Sequence, residues 1–170
     1  MAFSMYHASA PRFANTLKNL SAILQKAEQH CEAKKIDPLA LTSFRLFPDM
    51  LPFTRQIYIA TDTAKGAVSR LAGVEIPKYE DVEQTIPELK ARIAKTVDYL
   101  LSVPAAKFDG AAERDVTMKA GGKDVTWKGA QYLFGHAYPN FYFHCTTAYN
   151  ILRHNGIEIG KRDFIGQVEL

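Results

Sequence analysis

Apolar residues recur at helical spacing in several stretches of the chain. Across residues 4–34 they fall at alternating three- and four-residue steps, which is the stripe of an amphipathic helix that packs on one face. Residues 79–103 repeat this pattern, and Thr85 and Pro87 mark the expected first turn. These patterns predict a first and a third helix with polar outer faces.

A second helix is predicted over residues 38–71, where an apolar stripe again runs at helical spacing. Pro48 and Pro52 interrupt it, because proline lacks a backbone donor and clashes with the preceding turn. A kink or short break is therefore expected around Asp49. Small residues later in this helix indicate close approach of a neighbouring helix, in the same chain or in a second copy. They are Ala60, Ala64, Gly66 and Ala67.

The period changes from helical to alternating over residues 115–128. With a turn at Gly121 and Gly122, apolar residues pair on one face and polar residues on the other. Two glycines supply the positive φ angles that a tight turn needs. The sequence thus predicts a β-hairpin, and its apolar face should dock on helices because an isolated hairpin is marginal in water. That face consists of Val116, Met118, Val125 and Trp127.

The last predicted helix spans residues 129–156 and carries the densest set of aromatic and imidazole side chains. His136, Asn140 and His144 are four residues apart, so a continuous helix would align them along one side in successive turns. Pro139 is expected to kink the helix next to this row. The row is the one constellation in the sequence that points to chemistry.

Composition narrows the classes of protein without identifying one. The chain has 170 residues, of which 47% are hydrophobic and 23% charged, so a single domain over residues 1–170 is predicted. Basic and acidic residues alternate, which argues against nucleic-acid binding. The sequence shows neither a signal-peptide pattern nor an apolar run of membrane length, so we predict a cytoplasmic protein without membrane contact. Cys31 and Cys145 fit no disulfide or zinc pattern.

Three segments carry a family resemblance: RLFPDMLPFTRQ, ATDTAKGAVSRLAGV and NFYFHCTTAYNILRHNG. They resemble a bacterial domain-of-unknown-function family in the DinB/YfiT-like superfamily of proposed metalloenzymes, and the resemblance covers residues 5–166. It implies an all-α DinB-like four-helix bundle in up-down-down-up order, here with a small β-hairpin between helices 3 and 4. It also implies a homodimer. Superfamily members often hold a divalent metal with three histidines, one from helix 2 and an HxxxH pair from the last helix.

The chain departs from that metal pattern. Leu152 and Arg153 resemble the Leu-Arg near the end of the superfamily's last helix, which places His144 at the second histidine and Asn140 at the first. Helix 2 contains no histidine. Because Asn is a poorer ligand than imidazole, the resemblance implies at most a weakly bound zinc or nickel ion at His144. The residues that remain open as a third ligand are Asp49, Gln56 and Asp62.

We predict that the protein binds a small ligand in a pocket between helices 2 and 4, since bundle cores commonly hold such sites. The expected lining residues are Asp49, Gln56, His136, Asn140 and His144. The alternative is a metal-dependent hydrolase or thiol-transferase that uses His144 and needs an open coordination position. A purely structural role is also open, in which His144 is a buried side chain that hydrogen-bonds to Asp49 or to a backbone carbonyl. Asp49 could equally cap the segment after the break and pair with Arg45.

Overall fold

Four long helices form the core of the structure, a computed structural model that describes residues 4–167, with Ala120 described by its backbone alone. The long helices are α1 (Met5–Lys34), α3 (Phe53–Ala72), α4 (Ile86–Ser102) and α6 (Tyr138–His154). The short ones are α2 (Leu39–Thr42), α5 (Gly129–Tyr132) and α7 (Lys161–Ile165), and the strands are β1 (Asp115–Ala120) and β2 (Lys123–Lys128). The predicted helical bundle with one hairpin is confirmed. No helix within residues 4–167 is long and apolar enough to cross a bilayer.

The first helix follows its sequence pattern closely. Ser4 caps it by accepting a hydrogen bond from the His7 backbone N–H at 3.2 Å. Pro11 lies inside the helix, which continues to Lys34. Lys35 ends it in the left-handed conformation, with φ 55°. The apolar stripe is buried against the other long helices and includes Phe13, Leu17, Leu20 and Leu24.

The predicted second helix is two helices rather than one. The expected break near Asp49 is confirmed, but it extends over residues 43–52 and separates α2 from α3. The reason is that Pro48 and Pro52 lack backbone donors, and the chain instead closes a loop in which the Phe53 N–H donates to the Phe44 carbonyl at 2.9 Å. This loop lies directly before the helix that carries Gln56.

The third long helix begins at the first turn that Thr85 and Pro87 mark in the sequence, rather than at residue 79, where the wider segment starts. Residues 74–85 are not helical, and α4 starts at Ile86. Thr85 and Glu88 form a capping box, with Pro87 in the first turn as expected. The cap stabilises a start at this point, and residues 74–85 run as a separate connection between α3 and α4.

The hairpin has the predicted register, in which Met118 faces Val125 and Val116 faces Trp127. Gly121 and Gly122 adopt φ angles of 58° and 80°, as the tight turn requires. Val116 is buried in the main core, while Met118 and Trp127 pack against it half-buried. The apolar face therefore docks on the bundle.

The last helical run is irregular next to Pro139, where a kink was expected, and the irregularity takes the form of a π-helical turn. A π-helical turn over residues 133–137 separates α5 from α6, and Pro139 lies in the first turn of α6. Proline cannot donate the hydrogen bond that a continuous α-helix would need here, and the wider turn before it makes room for the ring. One extra residue in the turn rotates everything before it relative to α6, so His136 leaves the row of Asn140 and His144.

Candidate functional site

The site lies along the seam between α3 and α6, where two hydrogen bonds cross from one helix to the other. His144 Nδ1 lies 2.7 Å from Gln56 Oε1. One turn earlier on α6, the Asn140 amide donates to Thr63 Oγ1 at 2.8 Å. Residue numbers rise along α3 while they fall along α6, so the two helices run antiparallel. The spacing of four on α6 and seven on α3 places all four side chains at this seam.

Gln56 fixes the tautomer of His144. Its Nε2 donates to the Leu51 carbonyl at 2.8 Å, which leaves Oε1 as the atom that faces the imidazole. Because an amide oxygen only accepts, the proton lies on His144 Nδ1. The ring therefore carries its lone pair on Nε2, the atom through which a neutral histidine accepts a hydrogen bond or binds a metal.

His144 is held in this neutral form. Its side chain is buried, and burial lowers its pKa below the usual 6.5 because the imidazolium loses hydration. Among the described residues, only the hydroxyl of Thr42 is a buried side-chain polar atom without a partner. His144 Nε2 accepts no hydrogen bond from the described part of the chain, and the residue is 9% exposed. The exposed Phe143 lies beside it, with its ring centroid 5.2 Å from the imidazole centroid.

The structure joins some of the predicted site residues and separates others. Gln56, Asn140 and His144 lie together on the seam. His136 instead stacks on Trp127, with ring centroids 5.4 Å apart, because the π-helical turn displaces it. His136 is thus displaced from the row of Asn140 and His144 next to Pro139, where a kink was expected.

Asp49 occupies the loop before α3, where it is exposed. It forms no ion pair within residues 4–167, and Arg45 donates to the Met50 carbonyl rather than to Asp49. His144 forms its hydrogen bond with Gln56, not with Asp49 or a backbone carbonyl as the structural alternative suggested.

The side chains of the seam do not form the three-histidine metal site that the family resemblance implies. Across residues 4–167, no three His, Cys, Asp or Glu side chains are arranged to hold an ion. The seam offers one imidazole nitrogen and the Asn140 amide. Asp62, one of the possible third ligands, already accepts from Lys65 at 2.6 Å and from Arg92 at 3.0 Å. We therefore derive no chemistry through a bound metal.

A buried charge cluster lies beside this seam and was missed at the level of the sequence. The Arg92 side chain is fully buried and pairs with Asp62, Asp81 and Glu83 at 3.0 to 3.1 Å. Lys65 is also buried, and its ammonium lies over the ring of Tyr79. A signal existed: the spacing of Leu89, Arg92 and Thr96 puts the arginine within the apolar stripe of α4.

Comparison with known proteins shows which family the chain belongs to. The family model described as a domain of unknown function, DUF1993, matches residues 5–165. The chain belongs to this family. The DUF1993 chain is also similar to a DinB family member protein from Shewanella denitrificans, known from its crystal structure, with 42% identity and a TM-score of 0.88. That alignment covers 98% of this chain and 94% of the other, and it supports the DinB-like resemblance. No curated protein matches the chain.

Proposed function

We propose that the protein binds a small ligand at the seam of α3 and α6, through a hydrogen bond from the ligand to His144 Nε2. The proposal rests on the fixed tautomer: Gln56 binds the protonated Nδ1 and leaves Nε2 as an acceptor that no described residue uses. Asn140 donates through its nitrogen to Thr63, so its oxygen is a second acceptor one turn away. A ligand with O–H or N–H donors matches these two atoms.

The apolar part of the ligand would contact Phe143, whose ring is 56% exposed. Burial of such a ring by a ligand is favourable, and its position against the imidazole edge orients an aromatic group near Nε2. We infer that a hydroxyl- or amine-bearing aromatic compound fits the site best.

Phenol tests this proposal, with anisole as the matched control that lacks the donor. In NMR spectra of the imidazole nitrogens, phenol is expected to shift the Nε2 resonance of His144, and anisole is expected to leave it in place. His144→Ala should abolish phenol binding. Because burial lowers the pKa of His144 below 6.5, binding should persist at pH 6.5 and weaken only at lower pH, when Nε2 gains a proton. Equal shifts from phenol and anisole would reject the proposal.

The metal-dependent hydrolase or thiol-transferase alternative has weaker support. Burial raises the pKa of both thiols, that of fully buried Cys145 most strongly, so neither is a ready thiolate. Among the side chains of the seam, the imidazole of His144 is the one strong metal ligand. A zinc or nickel ion held there would be bound weakly.

Titration calorimetry with zinc and nickel checks this expectation on protein purified without a histidine tag. The dissociation constant is expected to be about micromolar or weaker, because one imidazole and an amide oxygen are a poor ligand set. His144→Ala should remove the binding, while His30→Ala, in the last turns of α1 and away from the seam, should not. A stoichiometric metal that survives dialysis against a chelator would show that the seam is a metal centre after all.

We also propose a homodimer and a cytoplasmic location, both carried over from the family resemblance and the sequence. The small residues of α3 do not support the dimer, since Ala60, Ala64 and Ala67 are buried inside the bundle. Light scattering should give twice the monomer mass of 19.0 kDa. The monomer mass at every concentration would contradict the dimer.

A further inference from the structure

A second candidate site lies at the other side of the loop over residues 43–52. A cleft of about 220 Å³ opens there between α2, the start of α3 and the connection before α4. Its polar lining groups are hydrogen-bond donors, and no carboxylate is among its lining residues. They are Thr42, Ser43, Arg45, Thr54 and Gln84. This cleft shares no residue with the seam of His144.

The Thr42 hydroxyl is the unusual feature of this cleft. Thr42 is 1% exposed, and its Oγ1 has no hydrogen-bond partner in the described part of the chain. Other buried hydroxyls on the helices donate to the carbonyl four residues earlier; these are Ser9, Thr61, Ser69 and Thr96. A buried hydroxyl without a partner is costly, and since Thr42 is one of the residues that line the cleft, a ligand that reached this hydroxyl would remove that cost.

Arg45 adds a positive charge to the same cleft. Its guanidinium donates to the Met50 carbonyl, which holds the side chain in place and uses one of five N–H donors. The remaining donors are suited to a carboxylate, which accepts from a guanidinium in a short, charge-assisted pair. The adjacent Gln84 amide can add a neutral donor.

A larger cleft of about 690 Å³ adjoins this one and shares Leu39 and Gln84 as walls. Its apolar lining comes from the ends of α1 and α4 and from the segment that leads into α2; the members are Cys31, Ile36, Pro38, Leu39, Ile86 and Pro87. Leu39 and Ile36 are 56% and 37% exposed, so an apolar ligand would cover them. The volume is in the range of small-molecule sites.

Charges around the larger cleft determine which end of a ligand enters it. Glu32, Asp37 and Lys35 line it, as does Glu28, which pairs with Lys90 at 3.0 Å. The carboxylates outnumber the Lys35 ammonium, so this lining disfavours an anion, whereas the smaller cleft attracts one through Arg45. We infer that the two clefts form one site for an amphipathic monocarboxylate, with the apolar chain against Leu39 and the carboxylate on Thr42 and Arg45.

Sodium octanoate below its micellar concentration is the probe, titrated into the full chain by calorimetry. We expect saturable binding at one site per chain, with 1-octanol and acetate each binding about tenfold more weakly because each lacks one half of the ligand. Equal binding of octanoate and octanol would overturn the carboxylate site. His144→Ala should leave octanoate binding unchanged, so this result is independent of the proposed function.

Three variants locate the carboxylate. Arg45→Gln and Thr42→Val should each weaken octanoate binding about tenfold, while Lys35→Gln, at the cation that lines the larger cleft, should change it less than about twofold. Thr42→Val removes an unpaired hydroxyl without changing the shape, so the melting temperature of the free protein should hold or rise as binding falls. Unchanged octanoate binding in both Arg45→Gln and Thr42→Val, or an equal loss in Lys35→Gln, would refute the assignment.

Discussion

Replacement of Gly129 by alanine is expected to lower the free energy of unfolding by about 3 kcal/mol, at the upper end of the cost of overpacking. A Cβ at this position would lie 1.9 Å from the Ala111 carbonyl oxygen. That backbone cannot move aside, because Gly129 N–H donates to the Arg114 carbonyl at 2.8 Å and Ala130 N–H donates to the Ala112 carbonyl at 3.0 Å. The junction between the hairpin and α5 therefore requires glycine.

Thermal unfolding followed by circular dichroism measures this effect, which corresponds to a fall of roughly 6 to 12 °C in the melting temperature. Gly135→Ala is the matched control, since a Cβ there meets no atom within 4 Å. It should leave stability unchanged or slightly raised, because alanine restricts the unfolded chain more than glycine. Similar losses in the two variants would show that the close approach at Gly129 is not the cause.

Asp62→Asn is expected to destabilise the protein by about 3 kcal/mol, the lower end of the cost of breaking a buried ion pair. The Asp62 carboxylate is itself partly exposed, but its partners are buried: Lys65 at 2.6 Å and Arg92 at 3.0 Å. Loss of the carboxylate leaves Lys65 without an ion-pair partner among the described residues, while Arg92 keeps Asp81 and Glu83. The penalty therefore arises chiefly at the lysine.

Urea unfolding compares Asp62→Asn with Asp115→Asn, which removes an ion pair of similar length from the surface. Asp115 and Lys128 lie 2.7 Å apart and are both largely exposed, so this control should change stability little. Asp62→Asn combined with Lys65→Met should recover part of the lost stability, because the unpaired cation is gone. If the double variant recovers no stability, the loss in Asp62→Asn arises at another residue, for example Arg92.

Features that depend on neighbours in the chain were predicted well. The register of the hairpin follows from Gly121 and Gly122, because two residues with positive φ fix which positions face each other. The start of α4 likewise follows from Thr85 and Pro87, which marked its first turn in the sequence, and the structure adds the capping box of Thr85 with Glu88.

Features that depend on contacts across the bundle were predicted poorly. The pair of His144 with Gln56 joins residues 88 positions apart, and nothing local distinguishes Gln56 from Asp49 as the partner. Arg92 was missed for the same reason: its carboxylate partners lie on α3 and on the connection before α4. The displacement of His136 was expected from Pro139, but the π-helical form of the turn was not.

The sequence by itself determined the helical bundle, the hairpin and the family of this protein, because hydrophobic period, caps and turn residues act over a few positions and leave a local record. Tertiary structure alone decided which polar atoms are paired. Gln56 sets the tautomer of His144, and the packing around α2 leaves the Thr42 hydroxyl without a hydrogen-bond partner within residues 4–167. Hydrogen bonds between distant elements depend on how helices dock, to within fractions of an ångström, and no spacing along the chain encodes that distance.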